Sequence, residues 1–282
     1  MDFEKLFEQI QRNAITCEFG GQQENMGLTH FGGQPDVPEG FQWPWFTFQD
    51  GQEIQEFSAP LAFLAQFDCA ELAAYDSAHE LPDHGVLSFF YDLDEQFWGF
   101  DPQDKGCARV YWFEDSTALH PSDFPDELKE YCRLPRLNIT LGQMKNVPDY
   151  EEYAGQHNID PGQSFYDEYA EERVLYGYET PENSSKLLGY ADVIQGDMTW
   201  ECTRVANGIY CGGGPLEGEA AKKSEALNGQ ESEWKLLFQM DSFMAGSFEL
   251  IFGDSGRIYF YIRQQDLENR DFDKAWLILQ CY

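Results

Sequence analysis

Two polar pairs of the same composition end apolar runs in this sequence. Gln66 and Asp68 end the first run. Gln239 and Asp241 end the second, with the same one-residue spacing. Because residues i and i+2 of a strand share a face, each glutamine points the same way as its aspartate. Two interpretations stay open: the glutamine bonds a loop backbone while the aspartate caps a helix, or the two pairs line a binding cleft.

The interpretation as a binding cleft also involves three tryptophans and an aspartate in a predicted turn. Trp43, Trp45 and Trp98 would supply apolar walls to a cleft. Asp254 begins the turn Asp254-Ser255-Gly256, which leads into a predicted strand. The predicted ligand-binding residues are Gln66, Asp68, Trp98, Gln239, Asp241 and Asp254.

Other reactive residue types lack the spacing that known chemistry requires. His79 and His84 are five positions apart with Pro82 between them, whereas a helical metal-binding pair needs four. Ser255 lacks the Gly-x-Ser-x-Gly pattern of a nucleophile elbow. The glycines of residues 212–215 lack the following Lys-Ser/Thr of a phosphate loop. The sequence therefore predicts no metal site and no cofactor, and it leaves open whether the protein is an enzyme.

The charge balance is strongly acidic. The 282 residues contain 18 Lys and Arg and 51 Asp and Glu, a net charge of −33. Such a chain repels nucleic-acid backbones and anionic membranes, so neither is predicted as a partner. It permits a basic protein partner, although acidity that only maintains solubility explains the same composition.

The N-terminal residues and the cysteines predict a cytoplasmic protein. Asp2 and Glu4 lie where a signal peptide would carry basic residues, and no apolar stretch is long enough to span a bilayer. The seven cysteines are odd in number and include no Cys-x-x-Cys, which is typical of reduced thiols. Apolar residues from Phe3 to Ala14 recur at helical spacing and predict an amphipathic helix over residues 2–14.

Aromatic and β-branched runs bounded by Gly, Pro and Asp predict a β-rich protein. The predicted strands are Pro60–Asp68, Gly85–Asp92, Arg109–Phe113, Pro135–Leu141, Trp234–Asp241, Ser247–Phe252, Gly256–Ile262 and Ala275–Tyr282.

Two of these stretches resemble two others. Phe63–Asp68 matches Leu236–Asp241, and Gly85–Phe90 matches Gly256–Tyr261 in the same order. This predicts an internal duplication within one domain of residues 1–282. The first half would cover about 20–140 and the second about 185–282, related by a pseudo-twofold axis.

Several motifs together resemble the YwqG-like family of proteins of unknown function. They are His30–Pro35 with Trp43-Pro44, Leu64–Asp68, Gly85–Tyr91, Trp98-Gly99, Lys186–Tyr190, Gln195–Asp197, Leu236–Asp241, Gly253–Phe260 and Asp266-Leu267. The resemblance implies an α+β fold with mostly antiparallel sheets. It implies no catalytic residue, because the family has no agreed activity.

The favoured function is a non-enzymatic protein-binding or regulatory role, similar to that of an immunity protein, with a basic partner. The alternative is a small-molecule-binding protein or a hydrolase with its site in a cleft between the duplicated halves.

Overall fold

The computed structural model describes residues 2–20, 27–49, 56–157 and 163–282. The α-helices in these ranges are α1 Phe3–Ile10, α2 Cys69–Leu72, α3 Tyr150–His157, α4 Gln163–Leu175, α5 Thr199–Val205, α6 Gly218–Glu225 and α7 Gln264–Glu268. One sheet contains β1 Arg12–Gly20, β2 His30–Phe31, β6 Ala62–Asp68, β7 Val86–Tyr91, β8 Ala108–Phe113, β10 Leu137–Asn146, β11 Lys186–Leu188, β12 Trp234–Asp241, β15 Arg257–Arg263 and β16 Trp276–Gln280. The remaining strands pair two by two: β3 Asp36–Val37 with β9 His120–Pro121, β4 Trp45–Gln49 with β5 Glu56–Pro60, and β13 Phe243–Ala245 with β14 Phe248–Leu250.

The ten-stranded sheet has the order β16-β15-β12-β11-β1-β10-β2-β6-β7-β8. All its pairings are antiparallel, which confirms the predicted β-rich, mostly antiparallel α+β fold. The long strands β1 and β10 lie at its centre and pair continuously from Arg12–Asn146 to Gly20–Asn138. An N-terminal segment therefore lies in the middle of the sheet and not at its edge.

The N-terminal helix is shorter than the predicted span of residues 2–14. Helix α1 ends at Ile10. Ala14, predicted as helical, lies in β1 opposite Met144 of β10. Nine cross-strand pairs outweigh the helical spacing of one alanine, because local propensity is a weak preference that tertiary pairing overrides.

At both ends of the sheet, the strands follow one another outward in chain order. Outward from β10 the order is β2-β6-β7-β8, and outward from β1 it is β11-β12-β15-β16. Each end carries one register shift, between Phe63 and Ala65 on β6 and between Leu236 and Phe238 on β12. The structure thus shows a parallel of order and register, and descent from an internal duplication stays a prediction.

Aromatic side chains from both ends of the sheet share one core. Phe89 on β7 lies with its ring centroid 4.7 Å from that of Phe238 on β12 and 5.2 Å from that of Phe260 on β15. Each such pair contributes about 0.5–1.5 kcal/mol beyond the area it buries. The sheet therefore curls until its two ends face each other, which brings the connections of one end onto the strands of the other.

Candidate functional site

The side chain of Gln66 lies in the core and holds a loop in place by hydrogen bonds. The fully buried side chain on β6 accepts a hydrogen bond from the backbone N–H of Asp36 at 2.8 Å. Its amide nitrogen donates to the Leu28 carbonyl and to the Asp36 carboxylate, both at 2.8 Å. His30, opposite Gln66 on β2, lies 3.5 Å from the same carboxylate. Burial opposes ionisation here, but the hydrogen bond and charge of His30 hold the pKa of Asp36 below its ordinary value.

Gln239 makes the same set of contacts at the other end of the sheet. It accepts from the backbone N–H of Asp192 at 2.9 Å and donates to the Ser184 carbonyl and the Asp192 carboxylate. Lys186, opposite Gln239 on β11, forms a buried ion pair with that carboxylate. Burial lowers the pKa of Lys186 and opposes ionisation of Asp192 as well. The adjacent ammonium nevertheless holds the pKa of Asp192 below its ordinary value, which favours the ionised pair.

The two predicted aspartates differ in what they bond. Asp68 caps α2 by accepting a hydrogen bond from the backbone N–H of Ala70 at 2.9 Å. Asp241 precedes a strand, and its carboxylate lies 3.0 Å from the Nε of Arg257 and 3.1 Å from the Ser184 hydroxyl. The structure thus uses the two Gln-x-Asp pairs to anchor loops and cap a helix, and a ligand-binding role for them stays a prediction.

Trp98 and Asp254 lie at the surface. Trp98 is 42% exposed, and its carbonyl accepts a hydrogen bond from the backbone N–H of Leu279 at 3.0 Å. Asp254 is exposed, and its carbonyl accepts from the backbone N–H of Tyr282 at 3.3 Å. Of the six predicted residues, Trp98 leads to a candidate site, because its side chain lines a cavity.

That cavity, which we call the aromatic groove, has a volume of about 660 Å³. Its aromatic lining consists of Phe48, Phe57, Phe97, Trp98, Phe100 and Tyr210. The Phe48 and Phe97 rings meet edge-on with centroids 5.0 Å apart, and Phe57 stacks on Phe48 at 5.9 Å. These contacts hold the rings beside one another along one wall.

Carboxylates complete the lining of the aromatic groove. Glu95, Asp101 and Asp104 border it, and neither lysine nor arginine does so among the described residues. An adjoining cavity shares Asp101 and Asp104 and adds Glu56. Burial raises the pKa of Asp104 to about 6, while hydrogen bonds from the backbone N–H groups of Asp101 and Gly99 favour its ionised form.

The aromatic groove forms where the connection between β7 and β8 packs on the opposite end of the sheet. The segment between β7 and β8 crosses to the opposite end of the sheet, where the Trp276 indole N–H donates to the Gly99 carbonyl at 2.8 Å. Gly99 has a φ of +80°, and a Cβ there would lie 1.8 Å from the Leu277 carbonyl oxygen. The Phe100 carbonyl in turn accepts from the backbone N–H of Cys211, which places Tyr210 at the groove. Only a glycine permits this close approach of two backbones.

Sequence reasoning identified Trp98 but missed its neighbours in the groove. Phe57 and Tyr210 are separated from Trp98 by 41 and 112 positions, and neither belongs to a recognisable motif. Their only sequence signal is the 16% aromatic content of the chain. An aromatic cluster that assembles from distant segments cannot be predicted from spacing along the chain.

Two further observations bear on the chemistry of the described residues. They include no group of three or more His, Cys, Asp or Glu side chains placed to hold a metal ion. None of the helices in the described ranges combines the length and the apolar character that a bilayer crossing requires. The face of an aromatic ring attracts an organic cation, and a carboxylate can pair with it. The lining of the aromatic groove therefore suits an organic cation.

The strand order defines an α+β protein built on one large antiparallel sheet. The chain belongs to the family described as a domain of unknown function, DUF1963, whose model matches residues 29–281. No curated protein matches the chain. The family has no assigned activity.

Proposed function

We propose that this protein binds a basic segment of a partner protein, and that the aromatic groove receives its lysine or arginine side chains. The observation that carries the proposal is the lining: six aromatic rings and three carboxylates, with no cation among the described residues. The protein would act by binding and not by catalysis. A regulatory role similar to that of an immunity protein, which blocks its partner by covering it, fits this mode of action.

Exposure of the rings supports a role in recognition. Trp98 is 42% exposed and Tyr210 is 52% exposed, so their faces are available to a ligand. A cation over such a face contributes about 0.5–1 kcal/mol at an exposed site and more when water is excluded. The aliphatic stem of lysine or arginine packs on the remaining rings while its charged head reaches a carboxylate such as Glu95.

Overall charge supports the same class of partner. A net charge of −33 attracts a basic protein from a distance and accelerates the encounter. This attraction is screened within about 8 Å at physiological salt. The groove would therefore provide contact energy, and the surrounding charge would provide association rate and salt dependence.

The cysteines support a cytoplasmic location. All seven are free thiols, and six of them are buried. Reduced buried cysteines are typical of a reducing compartment. Within the DUF1963 family we also infer that this chain is a YwqG-like member, on the motifs given above.

A labelled peptide tests the proposal. A twelve-residue fluorescein-labelled peptide of alternating Gly with Lys or Arg would be titrated with the protein and followed by anisotropy, beside a peptide with Gln at every basic position. The basic peptide should bind and the Gln peptide should not. Raising NaCl from about 50 to about 300 mM should weaken binding at least tenfold.

Matched variants separate the groove from general acidity. Trp98→Ala should weaken binding about threefold to tenfold, whereas Trp45→Ala, at 41% exposure and outside the groove, should not. Glu95→Gln should weaken binding more than Glu249→Gln, which removes one exposed carboxylate elsewhere. Equal affinities of the Trp98 and Trp45 variants would exclude the groove as the binding site.

A further inference from the structure

A second cavity lies at the seam between the outermost strands of the sheet. Residues 107–109, mostly on β8, form one wall, and Trp276 and Leu277 of β16 form another. We call this cavity the seam pocket. Its volume of about 510 Å³ falls in the range of small-molecule sites. It shares Asp104 with the aromatic groove but has a different lining.

Positively charged side chains line the seam pocket. Lys105, Arg109 and Arg263 line it, and within the described ranges none of the three forms an ion pair. Arg263 lies over the ring of Trp234, with the guanidinium carbon 5.0 Å from the centroid. The chain has 18 cations against 51 acidic residues, so cations without a carboxylate partner are unexpected here.

The carboxylates that border the seam pocket are occupied or peripheral. Asp266 accepts from the Lys274 ammonium at 2.8 Å, and the same ammonium also donates to Asp271 at 2.8 Å. Asp104 accepts from the backbone N–H of Gly99 at 2.9 Å. Asp273 is exposed to solvent. Among the described residues, no carboxylate of the lining forms an ion pair with Lys105, Arg109 or Arg263.

Buried donors without acceptors give a second, independent indication of a ligand. Trp234 is only 4% exposed, and its indole N–H has no hydrogen-bond partner in the described part of the chain. The Nε of Arg263 is buried and likewise without an acceptor there. The other indoles that are buried or half-buried, those of Trp43, Trp112 and Trp276, all donate to backbone carbonyls. Buried donors are normally satisfied, so an acceptor is expected at Trp234.

The geometry points to the binding of a small organic anion, a phosphate or carboxylate attached to a flat ring, in the seam pocket. Guanidinium groups recognise both kinds of oxyanion through charge-assisted hydrogen bonds, and Arg109 and Arg263 supply two of them. The Trp234 indole donates to the anion, and the rings of Tyr111 and Trp276 flank its flat part. This site borders the aromatic groove at Asp104 and takes a ligand of opposite charge.

Calorimetric titration with paired probes tests the inference and identifies the anion. Adenosine monophosphate would be compared with adenosine, and indole-3-acetate with indole-3-ethanol, at about 150 mM NaCl so that the net charge of the chain is screened. At least one anion should bind with a Kd below about 1 mM, and its neutral counterpart should bind at least tenfold more weakly. Binding of neither anion, or equal binding of a neutral probe, would overturn the inference.

Variants and a spectroscopic signal locate the binding. Arg109→Gln and Arg263→Gln should each weaken the active probe at least fivefold, whereas Lys145→Gln, an exposed cation on β10, should leave it unchanged. The Trp234 indole N–H resonance, assigned by Trp234→Phe, should move downfield when the anion binds. If Arg263→Gln does not fold, Arg109→Gln and this resonance decide. A bound probe that neither responds to Arg109→Gln nor shifts the resonance would place the ligand elsewhere.

Discussion

His30 and Lys186 occupy matching positions at the two ends of the sheet. Each lies directly opposite a buried glutamine, Gln66 or Gln239. Each also contacts an aspartate six positions further along the chain, which the glutamine bonds as well. The networks differ in the charged partner, because an imidazole can give up its charge at neutral pH, whereas an ammonium normally keeps it. Asp192 also lies 4.0 Å from the guanidinium of Arg173.

This difference predicts unequal costs for the same substitution. Asp192→Asn leaves the Lys186 charge buried without its counter-ion and should cost about 3–5 kcal/mol of unfolding free energy. Asp36→Asn replaces one acceptor of a hydrogen-bond network by an amide and should cost about 1–2 kcal/mol. Urea unfolding of both variants at neutral pH measures the difference. Equal losses would mean that the Lys186–Asp192 pair is not ionised in the folded protein.

Asp92 predicts an unusual pH dependence of stability. Burial raises the pKa of Asp92 to about 6, although hydrogen bonds from the backbone N–H groups of Asp94 and Glu95 favour its ionised form. An unfolded aspartate has a pKa of about 3.9. Between these values the folded protein holds a proton that the unfolded chain has released. The contribution of Asp92 to stability therefore falls as the pH rises from about 4 to about 6, and the penalty is complete above that.

Asp92→Asn should remove this penalty. The variant should be about 2 kcal/mol more stable than the wild type at pH 8, and the gain should shrink as the pH falls toward about 4. Urea unfolding across this range measures the gain. Asp254→Asn, the same change at an exposed site, corrects for the loss of one negative charge from a chain of net charge −33. A gain that does not vary with pH would contradict the assignment to Asp92.

Much of the sheet could be predicted from local pattern. The predicted strand Trp234–Asp241 coincides with β12, and Gly85–Asp92 contains β7 with one extra residue at each end. Both are short apolar runs rich in aromatic or β-branched residues, bounded by polar or glycine positions. Such runs need no knowledge of their partners, because burial on both faces alone fixes their composition.

The candidate sites could not be predicted in the same way. Asp241 repeats the sequence context of Asp68 but pairs with Arg257, because a strand and not a helix follows it. The seam pocket depends on Arg109 and Arg263, which become neighbours only when the sheet curls. Such sites depend on contacts between distant segments, for which a single sequence holds no periodic signal.

The rate of alkylation should distinguish the half-buried cysteine from the buried ones. Cys211 is half-buried, and burial raises its pKa to about 11, with Glu201 adding to the shift. The other six cysteines are buried. Since the thiolate is the reactive form, native protein at about pH 8 should react with iodoacetamide at Cys211 alone, and more slowly than free cysteine does. Mass spectrometry of the labelled protein checks this, with denatured protein as the control; modification of a second thiol at a similar rate would contradict the burial assigned here.

Gly99 connects the fold to the aromatic groove, and its substitution should affect both. Gly99→Ala places a Cβ 1.8 Å from the Leu277 carbonyl oxygen at a φ of +80°, so the segment that carries Trp98 must lift from β16. Gly214→Ala provides the matched control, because its φ of +89° imposes similar strain with no atom within 4 Å. Strain alone should cost about 1–2 kcal/mol of unfolding free energy in either variant. Gly99→Ala should lose more than this and should weaken the basic peptide at least as much as Trp98→Ala does, whereas Gly214→Ala should bind it normally. Equal stability and equal peptide affinity of the two variants would show that docking of this segment does not position the groove.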